Sequence, residues 1–225
     1  DIYATCARLA SKLGDLDAAI KASRAALELV VPGDVAATIA ARAELAELCR
    51  RAGDAIGAVY YFEQVVAEEP HHGRALEALA ELYVERGNWG GAVRALRTLA
   101  GLAAASEAKA ALLHRLGELL LTQLGDVAGA DDAFLRASDL DPTHVPTLRR
   151  LIDVYWRAGD VGALLEVAQE LARSGRLLEA ATARPTLART AVAAARSAAM
   201  NLAERVVDPL DFEAAGGLAA VLTEL

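Results

Sequence analysis

Apolar and polar positions alternate along this chain with the period of an α-helix. Leu76, Leu79, Ala80 and Tyr83 stand at i, i+3, i+4 and i+7, with Glu77, Glu81 and Glu85 among and beyond them. Leu148, Leu151 and Tyr155 keep the same spacing farther on. Such stripes predict amphipathic helices. The stripes are broken at Gly14-Asp15, Gly53-Asp54, Gly87-Asn88, Gly125-Asp126 and Gly159-Asp160. Gly ends a helix because it takes the left-handed conformation without strain. Asp or Asn beside it offers a side-chain oxygen to cap the next helix. Pro32, Pro70 and Pro142 then close several second helices. Each unit is predicted to run helix, tight turn, helix, stop.

The five turns are spaced 39, 34, 38 and 34 residues apart. A period near 34 with small residues at fixed offsets resembles the tetratricopeptide repeat family. The residues that carry the resemblance are Leu45-Ala46, Gly53-Asp54, Ala58, Phe62 and Pro70 in the second unit. In the third they are Leu76, Leu79-Ala80, Tyr83, Gly87-Asn88 and Ala92, and in the fourth Leu116-Gly117, Gly125-Asp126, Ala130, Phe134, Ala137 and Pro142. The first keeps Tyr3, Gly14-Asp15, Ala19 and Ala26. The fifth keeps Leu148, Leu151, Tyr155 and Gly159-Asp160, with Leu164 where the pattern has Ala.

The resemblance implies an all-α fold: a right-handed α-solenoid of five helix-turn-helix units plus a degenerate sixth repeat that caps the array. The units span about 1–33, 35–70, 73–104, 106–142 and 145–174, and 175–225 form the cap or mark a boundary inside a longer array. Small Ala46, Ala58, Ala80 and Ala92 let paired helices approach, while Leu45, Phe62, Leu79 and Leu96 fill the space between units. Ile152 and Leu164 break this rule, so the fifth pair is expected to splay. The extra residues of the longer repeats lie before Ala36 and Leu112, which lengthens the first helices of units two and four.

Composition fits this picture. Alanine occurs 53 times and aromatics make up 4% of the chain, as close helix pairs require. The net charge of −8 argues against non-specific binding to nucleic acid or anionic membrane. No apolar run reaches the ~18–20 residues of a membrane span. Cys6 and Cys49 fall at core positions of first helices and read as buried free thiols of a reducing compartment. High Ala and Arg suggest a bacterial source, with a cytoplasmic location, or a periplasmic or envelope one if a leader has been removed.

The family resemblance implies a peptide-binding groove lined by first helices. The positions it assigns are Arg8 and Lys12; Glu44, Glu47, Arg50 and Arg51; Arg74, Glu77, Glu81 and Glu85; His114, Arg115 and Glu118; and Arg149, Arg150, Asp153, Trp156 and Arg157. Glu77, Glu81 and Glu85 form an acidic stripe. Arg149, Arg150 and Arg157 with Trp156 form a basic end suited to carboxylates of an acidic peptide. The plain alternative is a solvated face. Neither Asn88 nor Asn201 falls where the family's carboxylate clamp needs one.

His71-His72 reads as a helix start rather than a metal site, since no third ligand is near in sequence. No phosphate loop, His-Glu-x-x-His or Gly-x-Ser-x-Gly motif is present, so no catalysis, metal or cofactor is expected. The expected function is a protein–protein interaction adaptor or scaffold. A regulatory sensor domain of a larger signalling or transcription protein and a self-assembling homo-oligomer are the alternatives.

Overall fold

The computed structural model describes residues 2–160 and positions 162, 163, 166, 167, 169–171 and 173. Among them the regular elements are nine helices and no strand. These are α1 (Ile2–Leu13), α2 (Leu16–Glu28), α3 (Val35–Arg51), α4 (Ala55–Glu68), α5 (Gly73–Glu85), α6 (Trp89–Leu102), α7 (Ser106–Gln123), α8 (Val127–Leu140) and α9 (Val145–Ala158). The fold is all-α, built of helix-turn-helix units. The expected cap at 175–225, the packing of Leu164 and the side chain of Trp156 lie outside the described residues.

The turn glycines do what their chemistry allows. Gly14, Gly53, Gly87, Gly125 and Gly159 all have positive φ, between 65° and 82°. The residue after each glycine then serves two helices. The Asp54 amide donates back to the Cys49 carbonyl at 2.9 Å, closing α3. Its carboxylate accepts from the Gly57 amide at 2.8 Å, opening α4. Asp15, Asn88 and Asp160 repeat the pattern onto Ala18, Gly91 and Ala163. At Asp126 the closing bond reaches one residue farther, to the Leu120 carbonyl at 2.9 Å. That wider turn fits the spacing, since Gly117 stands eight residues before its turn glycine where Ala46 and Ala80 stand seven. His72 caps α5 in the same way, its Nδ1 accepting from the Ala75 amide at 3.2 Å.

The longer repeats are long in their first helices. α3 has 17 residues and α7 has 18, against 12 in α1 and 13 in α5. Pro70 and Pro142 follow closely on the ends of α4 and α8, whereas α2 ends at Glu28, well before Pro32.

The chain divides into two compact units, Asp1–Leu102 and Ala103–Leu225. In the first, α1 packs on α2, α3 on α4 and α5 on α6, and the pairs join through α2–α3 and α4–α5. Its core gathers Ile20, Leu45, Leu48, Phe62, Val65, Leu79 and Leu82 around Ala19, Ala46 and Ala58. Ala46 and Ala58 are fully buried, as close helix crossing demands. Each fully buried Leu here stabilises the fold by roughly 1.5–3 kcal/mol.

In the second unit α7 packs on α8 and α8 on α9. Gly117 replaces the usual alanine there, and a Cβ at that position would lie 2.6 Å from the Phe134 ring. A glycine is what lets α7 and α8 meet around this phenylalanine. Ile152 of α9 is half-buried where the other units have a small, buried residue.

One core assignment is corrected. Cys49 is buried, but Cys6 is exposed. Measured from the turn glycine, Cys6 occupies the position of Leu45 and Leu79. Those leucines are covered by the preceding second helices, α2 and α4, and no described helix precedes α1.

Candidate binding surface

The first helices of unit one enclose a cleft of about 460 Å³. Its walls come from Ser11 of α1, Glu44, Glu47 and Arg51 of α3, and His72 and Arg74 at the start of α5, over a floor that includes Leu48 and Phe62. The floor is apolar and the rim charged, the arrangement that binding sites for peptides and small ligands share. Arg51 is steadied by donating to Ser11 Oγ at 2.8 Å.

Glu47 sits among cations. Arg50 donates to both its oxygens, at 3.0 and 2.7 Å. That hydrogen bonding holds the Glu47 carboxyl below the usual carboxylate range, helped by the fields of Arg50, Arg74 and Arg51. Arg50 is raised in turn, mainly by Glu47, with Glu81 and Glu85 adding. Glu81 and Glu85 line a second, smaller cleft of about 180 Å³ together with Arg50. The acidic stripe on α5 is therefore partly answered by a cation on α3. Glu77 and Arg74 remain exposed, with no hydrogen bond or ion pair among the described residues.

Unit two treats its charges differently. Arg150 of α9 grips Glu118 of α7 through two hydrogen bonds, that from Nη2 measuring 2.6 Å. The pair lowers Glu118 and raises Arg150, hydrogen bonding being the first cause of both shifts. Asp153 lies 3.9 Å from the same arginine. Behind this pair, Thr147 is fully buried between two imidazoles. Its Oγ1 is 2.7 Å from His144 Nδ1 and 3.4 Å from His114 Nδ1. The His114 ring also stands against Phe134, 5.6 Å between centroids. Burial pushes the His114 imidazole down to about 4, opposed by Glu118. Burial lowers His144 as well.

The basic end is thus already half engaged. Arg157 donates to Asp131 of α8 at 2.5 Å, and Arg150 is held by Glu118. Arg149 and Arg115 are exposed and have no hydrogen bond or ion pair among the described residues. The sequence reading missed the Asp131–Arg157 pair, although a signal was there. Aligned on the turn glycines, Asp131 replaces the aliphatic Ile20, Val59 and Val93. It also missed the Tyr83 hydroxyl, which donates to Glu63 at 2.6 Å. Burial and Glu63 push that phenol up to about 12.

Among the described residues no three His, Cys, Asp or Glu side chains gather as metal ligands, and no helix is long and apolar enough to cross a membrane.

The tetratricopeptide repeat family matches over residues 1–29 and again over 50–117. The matched stretches contain three of the turns just described. Residues 1–29 and 50–117 are tetratricopeptide repeats. Solved structures share the fold of this repeat protein. A tetratricopeptide repeat protein from Parabacteroides merdae is 18% identical, with TM-score 0.59 over 99% of this chain and 78% of its own. MamA is 16% identical, with TM-score 0.53 over 88% of this chain and 96% of its own. Yeast Tom70 is 20% identical, with TM-score 0.56 over all of this chain and 43% of its own. No curated protein sequence matches significantly. At these identities the likeness concerns the fold alone.

Proposed function

We propose that this repeat protein is a protein–protein interaction scaffold that holds a peptide or helix of its partner in the cleft of unit one, with no catalysis of its own. The observation that carries this is the cleft itself, an apolar floor of Leu48 and Phe62 walled by three successive first helices, with Ser11 from α1 and charges from α3 and α5. Helices packed on a common core offer a rigid receptor, so little ordering cost falls on the protein when it binds. Glu47, Glu118, Arg150 and Arg157 are engaged in ion pairs rather than converging on a reacting point, which favours recognition over chemistry. A cytoplasmic location belongs to the same proposal, on the strength of two free thiols.

The test is site-specific photo-crosslinking. A crosslinker at Glu44 or Arg74 should capture a defined partner from lysate of the source organism, and one at exposed Tyr60 on α4 should not. Equal labelling from all three positions would sink the proposal. The acidic-peptide reading of α9 is best probed with Arg149→Glu alone, because Arg157→Glu would also break the contact with Asp131.

A further inference from the structure

The cleft of unit one carries charges that its own side chains do not match. Glu47 is matched, since Arg50 donates to both of its oxygens. Glu44 of α3 and Arg74 of α5 also line the cleft, and neither has a hydrogen bond or ion pair among the described residues. Among those residues Arg51 donates only to the Ser11 hydroxyl, which is uncharged. Arg51 and Arg74 both act on Glu47 through their fields. One anion and two cations are therefore left without a counter-charge beside an apolar floor.

The sequence of α3 explains why there is room for a ligand at these charges. Ten and thirteen residues before its turn glycine, α3 has Ala43 and Ala40, and both line the cleft. The same positions in α5 are Glu77 and Arg74. Short side chains on α3 leave a depression that long ones would fill. Glu44, Leu48 and Arg51 follow at i, i+4 and i+7, so they share one side of the helix. At 1.5 Å per residue the two charges lie about 10 Å apart along the axis, with Leu48 between them. In an extended chain alternate side chains face one way. A base, an apolar residue and an acid at i, i+2 and i+4 of such a chain reach all three.

We propose that the cleft selects an extended partner segment of mixed charge, with an apolar side chain over Leu48, a basic one at Glu44 and an acidic one toward Arg51 and Arg74. The inference rests on the cleft being the binding site and adds the chemistry that it accepts. Guanidinium groups suit the acidic side chain, which they can hold with paired hydrogen bonds. A segment charged with one sign alone is disfavoured, because one of its ends then meets a like charge.

Four peptides test this against the intact 225-residue protein. Their cores are Lys-Ser-Leu-Ser-Glu, Lys-Ser-Leu-Ser-Lys, Glu-Ser-Leu-Ser-Glu and Gln-Ser-Leu-Ser-Gln, each flanked by glycines and blocked at both ends so that no terminal charge takes part. In calorimetric titration the mixed peptide should bind with a dissociation constant below ~1 mM. It should bind roughly fivefold or more tighter than the other three. Glu44→Gln should erase its lead over the all-acidic peptide. Arg51→Gln with Arg74→Gln should erase its lead over the all-basic one. All three side chains are exposed, so these variants should fold normally, which circular dichroism checks. No measurable binding of the mixed peptide, tighter binding of a one-sign peptide, or variants that leave the ranking unchanged overturns the proposal. Crosslinking from Glu44 and Arg74 keeps that failure apart from failure of the cleft itself. A partner captured there through a segment without opposite charges flanking an apolar residue overturns this inference and leaves the cleft as the site.

Discussion

Asp131 of α8 accepts a 2.5 Å hydrogen bond from Arg157 of α9, at a helix–helix junction where the preceding units use an aliphatic side chain. An ion pair has taken the place of packing. Arg157 is 42% exposed at its side chain and Asp131 26%, so water screens the attraction. Such a pair contributes about 0–1 kcal/mol. Asp131→Val should therefore cost less than ~1 kcal/mol, because the arginine left behind can solvate. Asp131→Val with Arg157→Leu should match or exceed the native stability in urea unfolding. A large loss in the double variant would show that the pair does more than hold the helices together.

Gly117→Ala should destabilise unit two by roughly 1–3 kcal/mol. The added methyl would fall 2.6 Å from Phe134, which is fully packed and has little room to turn. Phe134→Leu in the Gly117→Ala background should recover part of the loss. Chemical denaturation of the single and double variants decides it. Additive losses would mean that the close contact is not the cause.

Asp54→Ala should cost about 1 kcal/mol, the usual effect of removing an N-cap side chain. Asp54→Asn should cost much less, since its amide oxygen still accepts from Gly57. Melting curves of the two variants separate a hydrogen-bonding role from a charge role. Equal losses would point to the charge.

Stability should fall as pH drops from about 6.5 towards 4. The His114 imidazole lies at about 4 in the folded protein against an ordinary value of 6.5. The unfolded chain therefore takes up the proton first, and the benefit of the neutral buried ring, complete above 6.5, is lost as pH falls through this window. His144 acts in the same direction. Glu47 and Glu118 are lowered carboxyls, so their contribution is present above the unfolded carboxylate range and is lost only at more acid pH. His114→Gln should flatten the profile between pH 6.5 and 4, measured by denaturation across that range. An unchanged slope would contradict the buried neutral imidazole.

The sequence was most legible where the chemistry is local. A glycine that must take positive φ and an adjacent Asp or Asn that must cap a helix both announce themselves within a few residues. Gly53 and Asp54 therefore marked their turn, and the alanines at 46 and 58 marked the close crossing. Counting between turns also placed the added length in α3 and α7. Legibility ended where the answer depends on which helix lies opposite. Cys6 has the local pattern of a core residue, yet it is exposed, because what buries that position in α3 and α5 is the second helix that lies opposite, α2 or α4. Arg150 and Arg157 read as free cations because Glu118 and Asp131 lie 32 and 26 residues away. Their pairing is set by helix contacts that periodicity along one strand of sequence does not encode.

Each Gly-Asp turn uses a single residue to finish one helix and begin the next. A joint of that kind has no slack: one inserted residue between closure and cap would cost a helix end on one side or the other. Insertions during evolution are therefore channelled away from the turns. They can lengthen a first helix at its start, as in α3 and α7, or widen its last turn, as before Asp126. The uneven spacing of the repeats is the record of where this architecture tolerates growth, and a tag or reporter inserted ahead of Val35 should be accepted where the same insert between Gly53 and Asp54 is not.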